Sequence, residues 1–150
     1  MGARGEGWVI GQVVIGAAIL AASVFAPIEV PIFVRAVGVV LLIVGGVVAL
    51  LGIFTLGSNL TPFPKPKEES HTLTTTGVYA LVRHPIYAGI GIGAVGWTLL
   101  WGSVLGLALA ILLFVWFDLK SRQEEAWLID KYSEYSAYRT RVKKFIPFLY

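Results

Sequence analysis

Apolar residues run almost unbroken from Trp8 to Ala26 and again from about Val34 to Leu56, with Pro27 and Pro31 in the short link between them. A bilayer core about 30 Å thick takes about 20 consecutive apolar residues in helical form, so each run predicts a spanning helix. Two shorter apolar segments follow, Ile86–Trp101 and Val104–Phe117. The Trp101-Gly102-Ser103 junction leaves room only for a tight turn, which makes these two an antiparallel hairpin. Their shortness predicts tilt, local thinning of the bilayer or partial insertion. The pattern therefore predicts an all-α integral membrane helical bundle of about four transmembrane helices.

The polar stretches fill in the rest. From Gly57 to Arg83 the chain is polar and carries Pro62, Pro64 and Pro66, which favours an extended loop over helix. Thr74-Thr75-Thr76-Gly77 predicts a turn before Val78–Val82 returns to the membrane. Beyond Phe117, residues Asp118–Val142 are charged but helical in period. Leu128, Tyr132, Tyr135, Tyr138 and Val142 recur at spacings of three and four, which predicts an amphipathic C-terminal helix lying on the membrane surface. No internal repeat is visible. The organisation expected is one membrane domain over 1–150, with two N-terminal spans (1–56) followed by loop, hairpin and tail (57–150). The run after Arg4 resembles a signal peptide, but it is longer than an ordinary apolar core of one and further spans follow, so a retained first helix is expected.

Composition sharpens this. Of 150 residues, 57% are hydrophobic and 14% charged, against about 45–50% and about 25% in soluble domains. The absence of cysteine excludes disulfides, thiolate metal sites and cysteine nucleophiles. The net charge of +3 comes from residues that flank apolar runs, so topology explains it better than nucleic-acid binding. Lys65, Lys67 and Arg83 fall in the second loop, and Lys120, Arg122, Lys131, Arg139, Arg141, Lys143 and Lys144 in the tail. With Arg4 added, only Arg35 is left for the opposite side. Both termini are thus expected to be cytoplasmic, and a compact chain without organelle signals suggests a bacterial inner membrane.

Candidate chemistry concentrates in Arg83-His84-Pro85-Ile86-Tyr87-Ala88-Gly89. Arg83 and His84 read either as snorkelling anchors or as a site at the mouth of a span, where polar groups are costly. Pro85 suits the first turn of a helix, whose free N–H groups attract anions. Gly89, Gly91, Gly93 and Gly96 leave one side of the third span bare, for close helix packing or for a ligand. Glu124 and Glu125 read as solvated residues, with Arg122 and Glu125 an i, i+3 pair, or as holders of a cationic group. Tyr135 and Tyr138 read as interfacial anchors or as ligand contacts. His71 and His84 are too few and too far apart to argue for a metal.

These elements together resemble the membrane methyltransferases of the isoprenylcysteine carboxyl methyltransferase and phospholipid N-methyltransferase superfamily. The resemblance covers roughly residues 57–149. It rests on Leu73-Thr74-Thr75-Thr76-Gly77-Val78-Tyr79 leading into the Arg83–Gly89 element, on Glu124-Glu125 with Leu128, and on Tyr135-Ser136-Ala137-Tyr138 followed by Arg141-Val142 and Ile146-Pro147. Tyr132-Ser133 departs from the aromatic–glycine pair often found there in the family. The resemblance implies S-adenosylmethionine as cofactor, bound at the cytoplasmic face between the last hairpin and the C-terminal segment. Carried over by motif, Arg83, His84, Tyr87 and Gly89 line the cofactor, and Glu124, Glu125, Tyr138 and Arg141 close over it. Arg83, Arg122 and Glu125 are the candidate catalytic residues. The acceptor implied is hydrophobic or lipid-like, with a carboxylate such as that of an isoprenylcysteine or an amine receiving the methyl group; membrane lipids are the surroundings, and neither nucleic acid nor metal is called for. Two rivals stay open, an NADPH-dependent enzyme of the sterol-reductase type and a non-catalytic scaffold or transporter subunit.

Overall fold

The computed structural model describes residues 2–70 and 72–150. Among them five α-helices form: α1 (Glu6–Phe25), α2 (Ile32–Leu56), α3 (Pro85–Trp101), α4 (Val104–Lys131) and α5 (Tyr135–Arg141). α1, α2 and α4 are long and apolar enough to cross a membrane, and α3 is a shorter apolar helix. The all-helical membrane bundle expected from the apolar pattern is the fold observed.

One boundary differs. The fourth span does not stop near Phe117; α4 runs on through the charged segment to Lys131, and the chain breaks at Tyr132 before α5. Residues 118–131 contain neither glycine nor proline and are rich in good helix formers, so nothing stops propagation. The aromatic stripe expected on one surface helix is instead split across that break. Tyr132, Tyr135 and Tyr138 still gather in one buried cluster, with Leu73, Leu128 and Val142 against it.

The tightest contact in the bundle is between α2 and α3, and glycine makes it. Gly38, Gly45 and Gly52 recur every seven residues on one buried face of α2. A Cβ on Gly45 would lie 2.5 Å from the Gly89 carbonyl oxygen, and one on Gly38 would lie 2.6 Å from the Leu100 nitrogen. From the other side, a Cβ on Gly96 would lie 2.5 Å from the Leu42 nitrogen. Backbone therefore meets backbone along an antiparallel pair, the arrangement small residues permit in lipid. α4 joins this pair to α1. Phe114 fills the space beside Gly91 of α3, and on the α1 side Trp116 stacks obliquely on Trp8 (4.8 Å) while its Nε1 donates to the Trp8 carbonyl (3.0 Å).

The outside of the bundle is apolar: Val13 and Val14 on α1, Ile43, Val47 and Phe54 on α2, and Ile111 and Val115 on α4 are all exposed. Such a surface is costly in water and suits lipid, which in turn requires polar groups to be satisfied internally. Backbone carbonyls satisfy several of them, although the buried Trp97 Nε1 has no partner among the described residues. Ser23 Oγ donates to the Ile19 carbonyl (2.8 Å). Ser103 Oγ donates to the Ala22 carbonyl (3.1 Å) and accepts from the Gly106 N–H (3.0 Å), capping α4.

The two ends of the bundle differ. At one, the α1–α2 link meets the α3–α4 turn, with the Ile28 N–H donating to the Gly102 carbonyl (2.8 Å). Gly102 has φ 67°, and a Cβ there would lie 2.2 Å from the Ile28 oxygen, so both conformation and space demand glycine. The residues just before α1 and the C-terminal segment lie at the other end. The Arg4 guanidinium sits 4.4 Å over the Phe63 ring. The C-terminal segment pairs with the approach to α3, the Arg83 and His84 N–H groups donating to the Lys143 (2.8 Å) and Lys144 (3.0 Å) carbonyls.

Candidate functional site

That pairing fixes the backbone at the start of α3, where Pro85 occupies the first turn. The last turns of α4 bring Glu124 and Glu125 alongside. Glu125 is buried at 2% exposure. Its Oε1 accepts from Arg83 Nε (3.0 Å) and lies 2.9 Å from the second Arg83 amino nitrogen and 3.1 Å from His84 Nε2. Its Oε2 lies 3.2 Å from Arg139 Nε, a half-exposed group on α5. Arg83 also donates to the Arg139 and Val142 carbonyls. One carboxylate thus ties α3, α4 and α5 together through a buried arginine and histidine.

Glu124 faces the other way. Its Oε2 accepts a short hydrogen bond from the Tyr87 hydroxyl (2.6 Å), and it lines a cavity of about 320 Å³. Tyr87 stands in a stack of parallel rings, 5.5 Å from His84 and 4.9 Å from Phe117. Lys120 Nζ lies 4.9 Å from the same ring centroid. Lys120 is 1% exposed, and its ammonium donates to Gln12 Oε1 (2.6 Å) and the Pro62 carbonyl (3.1 Å). The cavity therefore sets a carboxylate and an ammonium among apolar and aromatic walls, with Ile53, Leu56, Leu60, Phe63, Ile86 and Ile90 supplying the apolar part.

Tyrosines close the remaining side. The Tyr138 hydroxyl donates to the Tyr79 carbonyl (2.6 Å), holding α5 on the 77–80 turn. Burial pushes the Tyr138 phenol up to about 12 and raises Tyr79 and Tyr135 as well, so all three remain neutral donors near pH 7. The buried Tyr135 hydroxyl lines the cavity and has no hydrogen-bond partner among the described residues. Buried polar atoms without partners are uncommon, and this one is placed to serve a ligand.

The candidates named from sequence divide accordingly. Arg83, His84, Tyr87, Glu124 and Tyr138 come together on the cavity wall. Glu125 sits behind it, enclosed by its cationic partners. Gly89 is on the α2 contact, 2.5 Å from Ala49 N by its virtual Cβ, so packing, not ligand space, accounts for it. Arg122 does not pair with Glu125: it turns outward and bonds Asp118 at 2.7 Å, one turn back. Arg141 is exposed and away from the cavity. His71 lies outside the described residues.

Lys120, Gln12 and Tyr79 were not anticipated in the cavity. Lys120 was legible: it is one turn before Glu124, and Phe117, Lys120, Glu124 and Leu128 form a single helical stripe once α4 is allowed to continue. Gln12 had no local signal, because α1 meets α4 only in three dimensions.

Comparison with known proteins bears on this arrangement. The family model described as phospholipid methyltransferase matches residues 33–135. The protein-S-isoprenylcysteine O-methyltransferase of Saccharomyces cerevisiae is 37% identical over 115 residues, covering 75% of this chain and 48% of that protein. Its Rattus norvegicus counterpart is 33% identical over 117 residues, covering 76% and 41%. The solved structure of the eukaryotic intramembrane Ras methyltransferase, isoprenylcysteine carboxyl methyltransferase, superposes with a TM-score of 0.72 at 26% identity, over 96% of this chain and 53% of that one. The chain spans about half the length of these relatives.

Proposed function

Because the chain belongs to the phospholipid methyltransferase family, we propose that it transfers a methyl group from S-adenosylmethionine to a hydrophobic acceptor carboxylate of the isoprenylcysteine type, at the cytoplasmic membrane face. The observation that carries this reading is the convergence of the Arg83–Tyr87 element and the acidic pair, about forty residues apart in sequence, on one cavity at the end of the bundle. The relatives' names favour the carboxylate acceptor. The crowding of basic residues at that end, with Arg35 at the other, favours the cytoplasmic face.

The residues fit the cofactor. A volume of about 320 Å³ lies within the range of about 300–1,000 Å³ usual for small-molecule sites. Glu124 would hold the amino acid's ammonium or the ribose hydroxyls, Lys120 its carboxylate, and the unpartnered Tyr135 hydroxyl a further polar atom. When bound, S-adenosylmethionine supplies an electrophilic methyl group on a cationic sulfur. The protein's contribution is alignment, which is worth up to about 7–11 kcal/mol when reacting atoms are held in line. Arg83, its donors already engaged by Glu125 and backbone carbonyls, is a fixed positive charge at the wall that would orient an acceptor carboxylate. Glu125 acts as a positioning residue through Arg83 and His84. Ile53, Leu56, Ile86 and Ile90 come from α2 and α3, and they give a lipid-like acceptor an apolar approach from the bilayer. Were the acceptor an amine, Glu124 would be the group placed to take its proton.

The test is methyl-labelled S-adenosylmethionine supplied to the purified protein in lipid nanodiscs, with an N-acylated farnesylcysteine or phosphatidylethanolamine as acceptor. A methyl ester is released by mild base and an N-methyl group is not. Base-labile label on the farnesylcysteine is expected. Base-stable label on phosphatidylethanolamine would move the acceptor to an amine, and no label on either, from folded protein that binds the cofactor, would overturn the acceptor assignment.

A further inference from the structure

A second cavity of about 430 Å³ opens beside the first and is lined by Arg83, Arg122, Arg139, Lys143, Lys144 and the C-terminal Leu149 and Tyr150. Five of these side chains are cationic. The carboxylates that meet them are Asp118, shared by Arg122 and Lys144 at 2.7 Å each, and Glu125, shared by Arg83 and Arg139. Lys143 has no acidic partner among the described residues. Five cationic side chains against two carboxylate side chains leave the basin attractive to anions, and of its residues only Arg83 has a part in the proposed methyl transfer.

Apolar residues adjoin it: Leu149 on its rim is 74% exposed, and the neighbouring Ile146 and Phe148 are 50% and 90% exposed. Phe148 is held outward with φ 64°, a left-handed conformation that costs a bulky residue energy, on a turn closed by the Leu149 and Tyr150 N–H groups donating to the Ile146 carbonyl. A soluble anion has no use for such a rim. A membrane lipid has one, since its phosphate meets the cations while its glycerol and upper acyl carbons lie against the exposed aromatic and aliphatic side chains. The position also suits a lipid, because the basin lies where the apolar part of α4 gives way to its charged end.

We propose that this basin is a binding site for the phosphate headgroup of an anionic phospholipid. Arg83 lines both cavities, so the bound headgroup lies one guanidinium away from Glu125. Lys143 is the residue to change, because its side chain is exposed, has no acidic partner among the described residues and does not line the methyl-transfer cavity. Each basic side chain near an anionic membrane surface is worth about 1 kcal/mol, or about fivefold in affinity.

The test is ligand-induced thermal stabilisation of the detergent-purified full chain, titrated with short-chain phosphatidylglycerol, short-chain phosphatidylcholine or inorganic phosphate. Saturable stabilisation by phosphatidylglycerol alone is expected, weakened about fivefold by Lys143→Gln, further by Lys143→Glu, and by high salt. Three results would overturn the proposal: equal stabilisation by phosphatidylcholine, which makes the effect one of amphiphile; full stabilisation by inorganic phosphate, which makes the site one for soluble anions; and undiminished affinity in Lys143→Glu, which places the lipid elsewhere. The readout needs no catalytic turnover, so it stands apart from the methyltransferase assignment.

Discussion

Substituting Glu125 by glutamine removes one negative charge from the most enclosed ion pair at the site. Arg83 and His84 are left with side chains 8% and 4% exposed, Arg83 with no carboxylate to meet it and His84 with only the Glu124 oxygen 3.9 Å from its Nδ1. Breaking a buried pair from one side costs about 3–5 kcal/mol, because the remaining charge is stranded. The Arg139 contact adds little: its side chain is 52% exposed, and exposed pairs contribute about 0–1 kcal/mol. The glutamine amide keeps one acceptor for Arg83, which places the expected loss at the lower end, about 3 kcal/mol. At about 2–4 °C per kcal/mol for a chain of this size, Tm should fall by roughly 6–12 °C. Tryptophan fluorescence during thermal unfolding in detergent measures it, the chain having five tryptophans. Because Glu125 lies behind the cavity wall, the Arg83→Gln/Glu125→Gln double variant should recover part of the loss, with a coupling of at least about 1 kcal/mol. A Tm within about 2 °C of wild type, or strict additivity in the double variant, would refute the claim that this pair locks α3, α4 and α5 together.

Other consequences follow from the same geometry. Gly45→Ala should destabilise by about 1–3 kcal/mol through overpacking, since its Cβ meets the α3 backbone at 2.5 Å; the neighbouring Gly46→Ala, with nothing within 4 Å, should be neutral or gain up to about 0.5–1 kcal/mol, both read as Tm. Lys120→Met should weaken S-adenosylmethionine binding about tenfold or more, by loss of a charge-assisted contact of about 1.5–3 kcal/mol, as measured by calorimetry. The Tyr138 phenol titrates at about 12 in the folded chain against an ordinary 10.0, so the folded state holds its proton longer than the unfolded one. Its contribution to stability is complete below pH 10 and is lost as pH rises through 12; Tyr138→Phe should flatten that part of a Tm-against-pH profile.

The apolar runs made the bundle legible because lipid imposes a single long-range requirement, length of apolar helix, that local sequence expresses directly. The Trp101-Gly102-Ser103 turn was legible for the same local reason. The end of α4 was not, since a change from apolar to charged residues marks where the surroundings change and not where a helix stops. That misplaced boundary hid the stripe joining Phe117, Lys120, Glu124 and Leu128. Gly89 shows a different limit: a glycine that admits a ligand and one that admits another backbone look alike until the partner helix is seen. The two glutamates, adjacent in sequence, point to different tasks, Glu125 toward the arginine and histidine and Glu124 toward the cavity, and only three-dimensional placement separates them.

The proposed methyl transfer requires S-adenosylmethionine to bind in the cavity beside Glu124. Calorimetric titration of that compound, with NADPH as control, into the detergent-purified wild type and its Glu124→Gln variant tests it most directly. Saturable binding by wild type and none of NADPH are expected, with affinity at least tenfold weaker in Glu124→Gln at a Tm within about 2 °C of wild type, since this side chain is partly exposed and carries little of the packing. Absence of binding by a protein shown to be folded, or undiminished affinity in Glu124→Gln, would contradict it.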